Sequence, residues 1–294
     1  MDSSRYLAFL YAAESGSFSK AADLLNYTPS GVSQLVSALE DELSLQLLSR
    51  NKKGVKLTDE GKQLLPLIRT YIEQENLIKQ TASEINGLIK GSLRIASYPS
   101  IAIHWLPAVL KAFSKDYPSV EIRMMEGIRA EICQWLDEGK ANLALMGYQE
   151  GMPYEWIPLA EDPLLAILPV DHPMAKEEKF PISACVNEPF VIAGLGIDPE
   201  LNSLFEKNKI NPDVHYMTIE NFSALSLVEQ GLGMSIMNEL ITLGSDRKVI
   251  KIPLDPPEHL SLGISLPSFD KAPPVVRRFI EYAVIYLTQA EKNV

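Results

Sequence analysis

The sequence is short of cysteine, histidine and long apolar runs, and each shortage removes a class of protein. Cys133 and Cys185 are its two cysteines, far apart and without CxxC or Cys/His spacing. That argues against a disulfide framework or zinc cluster and favours a reducing compartment. The four histidines, His104, His172, His215 and His259, are scattered, with no two at the i, i+4 spacing that puts ligands on one helix face. No apolar run reaches the roughly eighteen residues a membrane helix needs. GxSxG, P-loop and HExxH patterns are absent, and Gly194-x-Gly196 lacks the third glycine of a dinucleotide loop. Nor is a nucleophile–base pair legible. No enzyme, no cofactor and no metal are expected.

Positive charge in excess is missing too. A net charge of −11 over 294 residues disfavours indiscriminate coating of nucleic acid or anionic membrane. Residues 1–60 carry six Lys/Arg against eight Asp/Glu, yet four of the cations, Arg50, Lys52, Lys53 and Lys56, fall within seven residues. A case for nucleic-acid binding therefore rests on placement. Arg5 followed by the apolar run Tyr6–Ala13 has the look of a short export signal, but Asp2 and the helical spacing of Leu7, Leu10 and Tyr11 favour a buried first helix.

What is present begins with three helix-length pieces. The first ends near Ser15-Gly16, where glycine stops a helix. Ser19 is a candidate cap for a short second helix through Lys20–Leu25, whose adjacent alanines allow a neighbour to approach closely. Thr28 as N-cap and Pro29 at the first position begin a third helix to about Leu43, with Val32, Leu35/Val36, Leu39 and Leu43 as its buried stripe. Its other face presents Ser30, Gly31, Ser33, Gln34 and Ser37. Short side chains allow deep entry into a major groove, hydroxyls and an amide can bond base edges, and the helix start favours phosphate. Gly31 costs about 1 kcal/mol of helix propensity relative to Ala. Arg50–Thr58 reads as a β-hairpin turning at Gly54, with Arg50, Lys52 and Lys53 beside phosphates. The same residues also suit an ordinary three-helix bundle with a solvated basic loop, and pattern alone leaves both open.

Here the sequence resembles the LysR-type transcriptional regulators. The likeness is carried by Gly16-Ser17-Phe18-Ser19-Lys20-Ala21-Ala22-Asp23-Leu24-Leu25, Thr28-Pro29-Ser30-Gly31-Val32-Ser33-Gln34, Leu39-Glu40, Leu47-Leu48-Ser49-Arg50 and Val55-Lys56-Leu57-Thr58-Asp59-Glu60-Gly61. The departures are Gly31, where Ala is usual, and Leu48, where Phe is usual. The resemblance implies a winged helix-turn-helix, with Pro29, Ser30, Ser33, Gln34 and Arg50 where family members contact operator DNA.

Residues 59–90 read as one long linker helix, although Pro66 is a mark against continuity. Leu64, Ile68, Tyr71, Glu75, Ile78, Ala82, Ile85 and Ile89 alternate by four and three, as a coiled-coil seam requires. Leu64, Ile68, Tyr71, Ile78 and Ile85 are the expected dimer contacts; a helix lying on its own domain is the alternative. A dimer suits DNA because one reader helix covers only a half-site. The resemblance implies the same, with further assembly to a homotetramer, and contact with RNA polymerase if the chain activates.

From residue 91 short strands alternate with helices, and the β-α-β-α-β order through Met146 predicts a largely parallel sheet there. Strands are expected at Leu93–Ala96, Val120–Met124, Leu143–Met146, Leu164–Leu168, Phe190–Ala193, Val214–Thr218, Gly233–Met237 and Leu260–Leu266. The resemblance implies a periplasmic-binding-protein-like α/β domain of two subdomains (91–162 with 267–294, and 163–266) and an effector cleft between them. Ligands in open α/β sheets sit beyond the carboxyl ends of strands. That rule selects Ser97, Tyr98, Ser100, Ile101, Gly147, Tyr148, Gly194 and Phe222. Apart from Arg129 no cation lies near these strand ends, so nothing demands a strongly anionic effector; the aromatics suggest an apolar moiety. The expected chain is thus a cytoplasmic, multi-domain regulator: a winged helix-turn-helix at 1–58, a linker helix at 59–90 and an effector domain at 91–294. A solute-binding protein and an α/β enzyme are the alternatives, weakened respectively by the first sixty residues and by the absent catalytic site.

Overall fold

The computed structural model describes residues 3–51, 54–86, 89–194 and 199–290. It divides into two units, Met1–Gly91 and Ser92–Val294.

In the first unit, α1 (Ser4–Ser15) stops at Gly16, which takes a left-handed conformation at φ 65°. The cap of α2 (Phe18–Leu25) is Ser17 rather than the expected Ser19: its hydroxyl accepts from the Lys20 amide. Phe18 thereby joins the helix and Asn26 ends it, again left-handed. Thr28 caps α3 (Pro29–Leu43) by accepting from the Gly31 amide at 3.1 Å. Of the anticipated stripe, Val32, Val36 and Leu39 are buried and Leu35 partly so. Leu43 is exposed, because α3 runs past the end of the core before Ser44 closes it. Ala21 and Ala22 are buried where α2 meets its neighbours, as small side chains permit.

A two-stranded hairpin follows, β1 (Leu48–Asn51) against β2 (Gly54–Leu57). Gly54, at φ 123°, lies so near the Gly16 carbonyl that a Cβ would come within 2.6 Å of that oxygen. The Val55 amide donates to the same carbonyl at 2.9 Å. Then α4 (Asp59–Ile85) runs unbroken through Pro66, a span of about 40 Å at 1.5 Å per residue. Its first half does not wait for a partner. Ile68 and Ile72 are buried in the core made by Phe9, Val32, Val36 and Leu39, with Leu64 packed against it, and Arg69 pairs with Glu14 of α1 at 2.7 Å.

The second unit holds an eight-stranded sheet. In its first half β3 (Gly91–Ser97) lies between β4 (Val120–Glu126) and β5 (Leu143–Gly147), covered by α5 (Pro99–His104), α6 (Leu106–Asp116) and α7 (Arg129–Asp137). The fifteen-residue β6 (Glu155–Pro169) then crosses into the second half. There it pairs with β10 (Ser235–Asn238) and β11 (Val249–Asp255), and β11 with β7 (Phe180–Pro181). Its residues alternate between two cores: Leu164, Ala166 and Leu168 face Phe180, Phe190 and Phe205, while Leu165 and Ile167 face Ala224, Leu225 and Val228. Burial on both faces is why this strand reads as a continuous apolar run.

A parallel pair, β8 (Pro189–Ile192) and β9 (Asp213–Met217), joins β10 through the Val191 amide on the Met234 carbonyl. Helices α8 (Pro199–Asn208), α9 (Asn221–Glu229) and the short α10 (Glu239–Thr242) complete this half. The return strand β12 (His259–Leu266) pairs with β5 and β6 in the first half. The chain therefore crosses back between Asp255 and His259, not after Leu266 as the sequence suggested. The last helix, α11 (Pro274–Ala290), packs Phe279 edge-on against Phe113 of α6 at 5.4 Å between centroids.

Candidate functional site

Two places carry the residues singled out in the sequence, one in each unit. In the first unit, the solvent side of α3 presents Pro29, Ser30 and Gln34, all exposed, with Gly31, Ser33 and Ser37 half-buried beside them. Val32 and Val36 anchor the opposite side in the core, so the helix is held with its small polar groups outward. Thr28 serves two neighbours at once, accepting from the Gly31 amide and sharing a hydrogen bond with the Ser30 hydroxyl at 3.1 Å. The strand backbone of Arg50 pairs with Val55. Lys52 and Lys53 lie outside the described residues, as do the side chains of Arg50 and Asn51.

Sequence reasoning missed how the hairpin is fixed to the helices. Glu40 on α3 accepts from the Leu47 and Leu48 amides at 2.8 and 3.0 Å. Thr58 donates to the Gln46 carbonyl at 2.6 Å and caps α4 through the Gly61 amide at 3.0 Å. A Cβ at Gly61 would stand 2.1 Å from the Leu47 carbonyl, so only glycine lets α4 pass there. Glu40, Thr58 and Gly61 therefore hold the hairpin in place without belonging to the contact face.

The expected dimer seam on α4 splits in two. Ile68, 5% exposed, packs into the core of its own unit, and Leu64 is half-buried against the same core. Tyr71 is partly engaged with Tyr6, ring centroids 4.9 Å apart. Ile78 and Ile85 stand 66% and 81% exposed. Along α4 the alternating residues thus pass from core contact at Ile68 to open surface at Ile78 and Ile85.

In the second unit, Ser97, Tyr98 and Gly147 come together at the carboxyl ends of β3 and β5. Ser97 is buried and spends its hydroxyl on the Tyr98 carbonyl at 2.9 Å. Ser100 is half-buried in α5. Ile101, one residue on, has no exposed surface and is a core residue, because α5 turns it inward. Tyr148 is half-exposed against Trp156, 5.4 Å between centroids. Gly194 follows its strand in a left-handed conformation, and Phe222 is exposed in the first turn of α9.

The residue that sequence reasoning passed over is Arg129, first in α7. Its guanidinium donates through Nη2 to the Gly147 carbonyl at 2.9 Å and to Oε1 of Glu200, which α8 carries in from the other half. The Tyr98 hydroxyl donates to the same carboxylate oxygen at 2.9 Å. Burial alone pulls the Arg129 guanidinium down, but Tyr98 and Glu200 more than offset this and leave it above its ordinary value. A Cβ at position 147 would sit 2.9 Å from Glu200 Oε1 and 3.2 Å from Arg129 Nη2, so Gly147 makes room for the pair. The available signal was Arg129's isolation, the one cation near the predicted strand ends; its acidic partner, some seventy positions along the chain, was not visible.

Comparison with known proteins adds the family. Residues 4–62 match the bacterial regulatory helix-turn-helix proteins of the lysR family, and residues 86–286 match the LysR substrate binding domain. The chain belongs to the LysR family of transcriptional regulators. Among its LysR-family relatives is the uncharacterized HTH-type transcriptional regulator YvbU of Bacillus subtilis, 29% identical over 94% of this chain and 95% of its own. Similar solved structures include a full-length OxyR of Pseudomonas aeruginosa in a cysteine-to-aspartate variant, with a TM-score of 0.74, 19% identity and coverage of 98% and 94%. Another is full-length CbnR complexed with its target DNA, at a TM-score of 0.65, 19% identity and coverage of 96% and 99%. At those identities the likeness speaks for the fold, a helix-turn-helix followed by an α/β substrate-binding domain. No described helix is long and apolar enough to cross a membrane.

Proposed function

We propose that this LysR-type regulator binds a specific operator through the outward face of α3 and the β1–β2 hairpin, and that a small molecule bound between the halves of its second unit modulates that binding. The observation that carries the DNA reading is the division of α3 between buried Val32, Val36 and Leu39 and exposed Ser30 and Gln34, with Ser33 half-buried beside them. Base edges are read by such short hydrogen-bonding groups, whereas a cation at the hairpin contributes affinity irrespective of sequence. CbnR, similar in fold, is known in complex with its target DNA. The protein works in the cytoplasm, where its DNA is, and as at least a homodimer, since exposed Ile78 and Ile85 offer a partner helix an apolar strip.

The effector reading rests on the strand ends that converge at Ser97, Tyr98 and Gly147, facing α8 of the other half. Effector and operator are linked because a ligand that prefers one arrangement of the halves shifts the populations of both. Gel-shift titration against the chain's own upstream region tests the first part: specific retention that weakens as salt rises is expected. Retention indistinguishable from that of random DNA would overturn it.

A further inference from the structure

Glu200 occupies Arg129 badly. The guanidinium side chain is 9% exposed and the carboxylate side chain 16%, so both charges have left most of their water. A buried guanidinium pairs best with a carboxylate through two parallel N–H bonds. Here Nη2 alone reaches Glu200 and also serves the Gly147 carbonyl, while the adjacent Nε–H is buried with no acceptor among the described residues. A buried donor left unmade is costly, and a buried ion pair gains little unless its geometry is good. The one oxygen that reaches Arg129, Oε1, is also tied to the Tyr98 hydroxyl.

We propose that Glu200 is a built-in stand-in for the carboxylate of the effector, which displaces it and takes the Nε–Nη2 edge of Arg129 side-on, with Tyr98 as third donor. The inference rests on the effector reading above and names its chemical class: a small carboxylate, its remainder lying toward the aromatic and apolar groups nearby. Because Arg129 belongs to one half of the second unit and Glu200 to the other, the exchange is also the regulatory step. Without ligand the two halves are tied by the ion pair; with ligand the guanidinium is satisfied from the cleft and α8 is released. A ligand with a single anionic group suits a site built around one guanidinium.

Chemical rescue in the full chain tests this. Glu200→Ala leaves Arg129 buried without this counter-charge, so its thermal midpoint should fall, and acetate should restore it where acetamide or chloride at matched ionic strength does not. Acetate should act on Glu200→Ala at a concentration at least about tenfold lower than on the wild type, reflecting one recovered charge-assisted bond. Arg129→Gln/Glu200→Ala should lose the response. Should Glu200→Ala fail to fold, Glu200→Gln keeps an acceptor for Tyr98 and replaces it in the comparison. Equal responses to acetate and acetamide, equal sensitivity of variant and wild type, or a response surviving in the double variant would each overturn the proposal. Operator retention measured on the same preparations keeps the two readings apart. Failed rescue with retention intact removes only the carboxylate, whereas loss of specific retention in the wild type removes the regulator.

Discussion

Glu40 and Leu47 are joined side chain to main chain across the corner between α3 and the hairpin, the carboxylate receiving the Leu47 amide at 2.8 Å and the next amide, of Leu48, at 3.0 Å. Both amides lead into the hairpin strand, so one acidic group ties the start of β1 to α3. Glu40→Ala should cost the first unit about 2 kcal/mol by leaving two amides without their acceptor, and Glu40→Gln less than about 1 kcal/mol because the amide oxygen still accepts. Urea denaturation followed by circular dichroism measures both. Equal losses for the two variants would mean the acceptor is not what matters.

On α3, Ser33→Ala and Gln34→Ala should lower the ratio of operator to random-DNA affinity, by about five- to a hundredfold if each reads a base. Arg50→Ala should weaken both affinities together and flatten the salt dependence. Fluorescence anisotropy at two salt concentrations separates these effects. An unchanged ratio for both helix variants would show that another face reads the sequence.

Along α4 the same chemical change has opposite meanings at two positions. Ile85→Asp, at an 81% exposed site, should leave the protomer folded and lower its mass in light scattering. Ile68→Asp, at a 5% exposed site, places a charge in the core and should unfold the first unit. Unchanged mass for Ile85→Asp would take the outer half of α4 out of the subunit interface.

The two cysteines should differ sharply in reactivity. Burial pushes the Cys185 thiol up to about 12, so almost no thiolate forms at neutral pH. Cys133 is partly exposed. Titration with a disulfide reagent should therefore modify Cys185 only after denaturant is added, checked by peptide mass. Native labelling of Cys185 would contradict its burial.

Asp162 carries a pH prediction. It is buried on β6, bonded by the Asn238 side-chain amide and, at 3.1 Å, by the Leu240 amide. Burial first, and the neighbouring Glu239 charge, raise its carboxyl above the ordinary value despite these bonds. A raised folded-state value means that this group's stabilising contribution is complete below the unfolded value and is lost as pH rises through the folded one. The stability of Asp162→Asn relative to wild type should thus increase as pH rises above the ordinary carboxyl range. A flat or opposite trend in urea midpoints would refute the assignment.

Local signals in the sequence reached the first unit almost intact, because caps, stops and buried stripes are short-range: Thr28, Pro29 and Gly16 each act within a few residues. Ser17 and Ser19 compete because both are good caps, and the choice between them depends on whether Phe18 is inside the helix. Legibility failed where partners are distant. The split of the α4 stripe at Ile68 is set by α1 and α3, and the meeting of Arg129 with Glu200 by how two half-sheets face each other. Strand β11 escaped notice because Lys251, Pro253 and Asp255 interrupt its apolar residues, Ile250, Ile252 and Leu254, as a strand with one solvated face allows.

The ladder of β6 changes hands at a single peptide. Up to Pro163 its partner is β12, and from Leu164 onward it is β10 and β11. Two otherwise stiff slabs of sheet are thus continuous through one shared ribbon, with Asp162 clamped beside the changeover. Any rotation of one slab against the other must be absorbed as twist in these few residues and in the return segment at Asp255–His259. Such a connection favours a small angular swing about one axis over sliding, so the regulation proposed above amounts to a change of angle between the two slabs.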